Sequence, residues 1–299
     1  MDIIMSSVSQ GFLWSIMAIG VYLTYRILDI ADLTAEGSFP LGAAICASQI
    51  VAGTSPIIAT LMALLGGMGA GLVSGLLHTK LKIPALLTGI LTMTALYSIN
   101  LRIMGQANIS LLGQKTIMRS LALLGMTNQT AVLIVGGIAV AIMIVVLYFF
   151  FSTEIGLAIH STGDNEEMSE ANGINTDLMK IIGYMLCNGL IALSGALLAQ
   201  NNGYADISMG IGTIVIGLAS LIIGEVIFSH LTFVKRLMTI VIGAIVYRLI
   251  IDIVLQLGVA PTDLKLFSAL ILAIALSTPL LRGKLKGMKK SKKKGGKLA

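Results

Sequence analysis

The sequence predicts an all-α fold: a polytopic bundle of transmembrane helices with about nine spans, eight to ten, one of them short or broken. Three observations lead there. Of the 299 residues, 56% are hydrophobic and only 11% are charged, against about 25% charged in an ordinary soluble domain. The mean hydropathy is +0.95. Apolar runs close to the ~20 residues that cross the hydrocarbon layer recur along the chain. A soluble fold has no interior large enough to hide that surface, so lipid is the expected solvent.

Breaks at charged, Pro-containing and Gly/Asn-rich stretches place the spans near 8–28, 38–53, 56–77, 84–104, 130–151, 179–200, 207–229, 237–257 and 264–281. The first is preceded by MDIIMSSVSQ, which has no Lys or Arg, so it reads as a retained helix rather than a signal peptide. The second is short, begins FPLGAA and follows the polar stretch DIADLTAEGS. It is expected to be broken or re-entrant, which membranes tolerate only where protein or a water-filled cavity encloses the irregular backbone. On the third, Gly67, Gly71 and Gly75 repeat every fourth residue, a stripe suited to close helix packing. Cys46 and Cys187 sit inside apolar runs far apart in sequence and read as packing residues, not as a disulfide or metal site.

Net charge is +6, but nine of the 20 basic residues lie between Arg282 and Lys297. The basic character therefore belongs to a tail, 282–299, expected to fix topology and touch anionic lipid rather than nucleic acid. With that tail cytoplasmic and nine spans, the N-terminus lies outside, and the segments 78–82, 152–177 and 230–236 face the cytoplasm. Lys80, Lys82, Lys235 and Arg236 then lie inside, and Lys115, Arg119 and Lys265 outside.

Several chemistries are absent. No GxxxxGK[ST] loop occurs, so the chain cannot cradle ATP phosphates itself. His78, His160 and His230 are scattered, no Ser/His/Asp grouping assembles, and neither a metal nor a cofactor is expected.

The segment 152–177 is unusual for a cytoplasmic loop. It holds six of the chain's 14 acids (Glu154, Asp164, Glu166, Glu167, Glu170, Asp177) and no Lys or Arg. Asp164 is placed to cap a short helix over 165–172, with Glu167 completing a reciprocal capping arrangement and Gly173 supplying a left-handed stop. Asn175 or Thr176 then starts the next span. A helix this short does not persist alone in water. Met168 and Ala171 on its acidic surface suit a groove on a partner protein; a solvated connector is the alternative.

The stretch GLAIHSTGDNEEMSEANGINTDLMKIIGYMLCNGLIALSGALLAQ, with Ala171, Gly173, Ile174 and Asn175 at its centre, resembles the coupling segment and following helix of ABC importer permeases. The family is that of the branched-chain amino acid and ribose permeases. GFLWSIMAIGVYLTYRILDIADLTAEGSFPLGAA resembles its first helix and the broken element after it. PALLTGILTMTALYSINLRIMGQANISLL resembles the branch that accompanies tryptophan- or tyrosine-type binding proteins. The three stretches cover roughly a third of the chain. One departure is His160-Ser161, where relatives often carry Arg-Ala. The resemblance implies a permease domain over 1–281 in the plasma membrane, with its coupling loop at 152–178. Asp164, Asn165, Glu166, Glu167, Met168, Glu170, Ala171 and Gly173 would dock a separate ATPase. An extracytoplasmic binding lipoprotein would deliver the solute, and a second permease copy, in a homodimer, would complete the pathway. Hydrolysis would belong to the partner. A nucleoside or sugar permease of the same family, an ATP-independent channel or secondary transporter, and, more remotely, a membrane enzyme are the other readings.

Charge inside the membrane is costly and marks function or pairing. Arg248 and Asp252, four apart, are expected to pair with each other. Glu225 has no partner on its own helix and is expected on the solute pathway or in an interhelical contact near the cytoplasmic end. A half-helix beginning at Thr34 or Ser38 would offer amides to a carboxylate, and Glu36 or Glu225 would meet an ammonium. Asn100 and Tyr97 would add hydrogen bonds and an aromatic wall, although Tyr97 also suits simple packing.

Overall fold

The computed structural model describes residues 2–122, 125, 127–227, 232–260, 263–274 and 277. The tail 282–299 and His230 lie outside the described residues. Among the described residues the fold is a bundle of twelve helices: α1 Asp2–Tyr22, continued by a π-helical turn Leu23–Ile27, α2 Ala35–Val51, α3 Pro56–Thr79, α4 Ala85–Met104, α5 Ile117–Ala122, α6 Asn128–Phe151, α7 Glu154–Asp164, α8 Glu166–Ala171, α9 Thr176–Asn202, α10 Thr213–Ile227, α11 Phe233–Gln256 and α12 Leu264–Ile274. Two three-residue strands, β1 Asn108–Ser110 and β2 Tyr204–Asp206, pair antiparallel.

Each of the nine expected spans has a helical counterpart, with 228–229 of the seventh and 275, 276 and 278–281 of the ninth outside the described residues. Among the described residues, seven helices are long and apolar enough to cross a membrane. The other two counterparts are α2, of 17 residues, and α12.

The central element is α9, because its small residues let neighbouring backbones close on it from two sides. On the α3 side the glycine stripe does what its spacing predicts. A Cβ on Gly67 would lie 2.5 Å from the Asn188 carbonyl, and one on Gly71 would lie 2.2 Å from that of Tyr184. On the α2 side, Gly42 lies against the Ala192 carbonyl and Gly195 against that of Phe39. Cys46 and Cys187 are free and buried, as packing residues should be.

The second span is reached through irregular backbone. Ser38 bonds Asn188 near the middle of α9, and Gln200 near the end of α9 reaches Cys46. The helix α2 therefore runs alongside α9 in the same direction and starts near mid-depth. The inward face of the linker before it is enclosed: Leu28, Ile30, Asp32 and Thr34 are buried, while Asp29 and Ala31 are exposed. That enclosure is the condition under which non-helical backbone persists in lipid. Asp32, a buried carboxylate that sequence reading passed over, ties the linker down by accepting from Thr34 N at 2.9 Å and Asn188 Nδ2 at 2.8 Å. Asn188 Oδ1 in turn accepts from Ser38 Oγ at 2.7 Å, and Thr34, Ser74 and Thr92 continue the chain of hydroxyls into α3 and α4.

Candidate functional site

Two places gather the residues expected to act: a cavity beside the start of α2, and the paired short helices α7 and α8 at one end of the bundle.

The cavity, of about 360 Å³, is lined by Glu36, Gly37 and Pro40 of α2, by Met93, Thr94, Tyr97 and Asn100 of α4, and by Ile207 and Ile211 before α10. Three side chains named from sequence thus share one space. Asn100 is 1% exposed; its Nδ2 donates to the Gly37 carbonyl at 3.3 Å, while its Oδ1 is buried with no partner among the described residues. A buried acceptor left open beside a cavity is a place for a ligand donor. Glu36 Oε1 accepts from Gly212 N at 3.0 Å, so the carboxylate sits at the N-terminal end of α10, where the helix dipole favours negative charge. Tyr97, 56% exposed, forms an open wall.

The remaining pathway candidates lie elsewhere. Ser38 is fully buried and spent on Asn188. The start of α2 does not present free amides to a carboxylate, because Gly37 N and Ser38 N bond Thr34 O and Glu36 N bonds Leu33 O. Glu225 stands near the opposite end of α10 from Glu36, with its carboxylate 3.5 Å from Arg26 Nε on the π-helical turn. It takes the interhelical alternative, and Arg26 was the signal overlooked. Arg248 and Asp252 pair at 3.3 Å as their spacing predicts.

At the far end, the acidic segment folds as two helices where one was expected. Thr153 Oγ1 accepts from Gly156 N and starts α7. Gly163 closes α7 onto the π-helical turn so tightly that a Cβ would lie 1.7 Å from Ile27 O. The cap of α8 is Asn165, whose Oδ1 accepts from Met168 N at 2.9 Å. This corrects the sequence expectation: Asp164 ends α7 and pairs with His160, 3.2 Å away. With Asn165 as cap, Met168 rather than Glu167 occupies the third helical position, so the reciprocal capping arrangement does not form. Gly173 holds φ +82° and provides the left-handed stop, with Ile174 N bonding Ser169 O at 3.0 Å. Thr176 begins α9, capped by Asn175. Glu170 accepts from Thr176 Oγ1, and Glu166 pairs with Lys180, which fastens α8 to α9. The outward surface mixes Glu167 with Leu157 and Met168, which are 62% and 65% exposed.

Between the strands at the other end, Asp206 accepts from Ser208 N, Ser208 Oγ and Asn108 Nδ2. Partial burial works against its ionisation, but these donors win and hold the carboxyl below its usual range.

Seven helices among the described residues that are long and apolar enough to cross a membrane, with a broken element and a cavity beside it, define a multi-pass membrane protein. Residues 3–276 match the family described as branched-chain amino acid transport system / permease component, and the chain belongs to that family of ABC transporter permeases. It is 44% identical over 283 residues to the tyrosine transport system permease protein of Clostridioides difficile, covering 95% of this chain and 93% of that one. It is 26% identical over 218 residues to the ribose import permease of Escherichia coli, covering 70% and 65% respectively. Its fold is similar to that of PsaBC from Streptococcus pneumoniae, with a TM-score of 0.53 at 13% identity over 90% of this chain and 89% of that one.

Proposed function

We propose that this chain is the pathway-forming subunit of an importer for an aromatic amino acid. Residues 1–281 form the permease domain, and the plasma membrane holds it with the tail 282–299 and the α7–α8 pair in the cytoplasm. A separate ATPase docks on α7 and α8, an extracytoplasmic binding lipoprotein delivers the solute at the β1–β2 end, and a second copy completes the pathway. The observation that carries this reading is the 44% identity to a tyrosine transport permease over nearly the whole chain. The sugar alternative rests on relatives at 26% identity. The cavity adds chemical support: a carboxylate, an open amide oxygen and an aromatic wall suit an ammonium-bearing aromatic solute better than a sugar. Reconstitution tests it. With ATPase and binding protein added to proteoliposomes, labelled tyrosine should accumulate only with ATP. Uptake without ATP favours the channel or secondary transporter, and ribose or nucleoside uptake in place of tyrosine favours the sister branch.

Orientation is tested separately. Cys46 and Cys187 are buried, so single cysteines can be read against a low background. Impermeant maleimide on intact cells is expected to label Lys115→Cys and to spare Glu166→Cys and Lys293→Cys. The reverse pattern inverts the protein and removes the importer reading.

A further inference from the structure

A second cavity, of about 250 Å³, lies between α10, α11 and α12, and Ile211 lines both it and the cavity of Glu36. Its polar lining is partly spent, with Arg248 Nε buried and without a hydrogen bond among the described residues. Arg248 is neutralised by Asp252, whose other oxygen accepts from Ser7 Oγ at 2.6 Å. Tyr247 donates to Ser268 Oγ at 2.6 Å, and Ser268 donates to the Leu264 carbonyl. Lys265 is different: it is exposed and, among the described residues, forms no ion pair. Glu36 likewise forms none; Gly212 N–H engages Oε1 and leaves Oε2 for a ligand. Lys265 is within electrostatic reach of Glu36. Two charges of opposite sign, neither in an ion pair among the described residues, therefore lie on the two cavities that share Ile211.

We infer that Lys265 and Glu36 together recognise a zwitterion, Lys265 taking the α-carboxylate while Glu36 and Asn100 Oδ1 take the α-ammonium. This rests on the amino acid reading above and names its specificity-determining residue. An unpaired carboxylate only partly exposed in a membrane bundle, as Glu36 is, is costly and points to something that pairs it, while Lys265 stands exposed beside it. A zwitterion satisfies both; a cation is repelled by Lys265, an anion by Glu36, and an uncharged sugar satisfies neither. Rejection by the unmatched charge is as much a part of selectivity as attraction. The amides at the start of α2 are already bonded within the chain and Arg248 is paired with Asp252, so Lys265 is the lining cation without an ion pair among the described residues.

The test is equilibrium binding of labelled tyrosine to the permease–ATPase complex in nanodiscs, competed by tyramine, which lacks the carboxylate, and by 3-(4-hydroxyphenyl)propionate, which lacks the ammonium. Lys265→Ala is expected to weaken tyrosine about tenfold, or about 1.4 kcal/mol, to strengthen tyramine by removing the charge that repels it, and to be rescued by Lys265→Arg. Glu36→Gln is expected to weaken tyrosine similarly and to strengthen the propionate, which no longer meets a like charge. Equal weakening of all three ligands, or none, overturns the inference. So does the absence of tyrosine binding in the wild type at millimolar ligand, even where ATP-driven uptake shows that amino acid import is correct. Absence of ATP-driven tyrosine uptake overturns the underlying function instead.

Discussion

Glu166→Lys combined with Glu167→Lys is expected to abolish co-purification with the ATPase and ATP-driven uptake, while membrane insertion remains normal. The reason lies in how α8 is held. Six residues make a helix too short to persist unaided. It survives on its Asn165 cap, the Gly173 stop, the Ser161–Ser169 hydroxyl bond and the fastening of Glu166 to Lys180 and of Glu170 to Thr176. Two reversals put ammonium groups on a surface where α7 and α8 carry acids and no Lys or Arg, and one of them faces Lys180. Like-charge juxtaposition at an interface costs several kcal/mol, and about 1.4 kcal/mol is a decade in affinity. Glu166→Gln with Glu167→Gln keeps shape and removes charge, so partial retention of the ATPase is expected. Pull-down beside an insertion assay decides it. Normal capture by the doubly reversed protein would leave α7 and α8 as connectors, and docking would have to be sought elsewhere.

How much of this was readable beforehand follows from the range of each interaction. Helices in lipid must satisfy their own backbone, so runs of apolar residues fix them locally, and all nine expected spans have counterparts. The packing role of Gly67, Gly71 and Gly75 was legible for the same reason: a four-residue period is one face of one helix. The capping of α8 was misplaced by one residue because Asp164 and Asn165 are both good caps. The choice between them depends on α7, whose closure onto Ile27 through Gly163 carries helix up to Asp164. Glu36, Tyr97 and Asn100 were found because polar residues in apolar runs stand out, and they share a cavity. The partners of Glu225, Asp32 and Ser38 lie 199, 156 and 150 positions away, as Arg26, Asn188 and Asn188. No pattern within a helix reports a contact of that span, which is why Glu225 looked free and Asp32 went unnoticed.

Gly42→Ala is expected to destabilise the fold by about 1–3 kcal/mol, and Gly42→Leu by more, since overpacking a close contact forces backbone to move. A Cβ on Gly42 would stand 1.9 Å from Ala192 O and 2.6 Å from Ala192 Cα. Both atoms belong to backbone, so no side chain can rotate away. Across the same seam Gly195 faces Phe39 O at 2.0 Å, so relieving one clash by shifting α2 tightens the other. Gly69 and Gly137, which have open space where a Cβ would go, provide the control. Alanine there is expected to be neutral or to stabilise by up to about 1 kcal/mol through better helix propensity. Thermal melting of the purified protein should thus give shifts of opposite sign for the same chemical change. A Gly42→Ala protein that melts with the wild type would show that α2 and α9 are further apart than described. The functional consequence follows from what α2 carries. Its first turn holds Glu36 against Gly212, so a displacement of α2 that the fold survives still separates the carboxylate from the start of α10. Gly42→Ala is therefore expected to reduce uptake by more than its loss of folded protein explains, and uptake normalised to folded protein measures the difference.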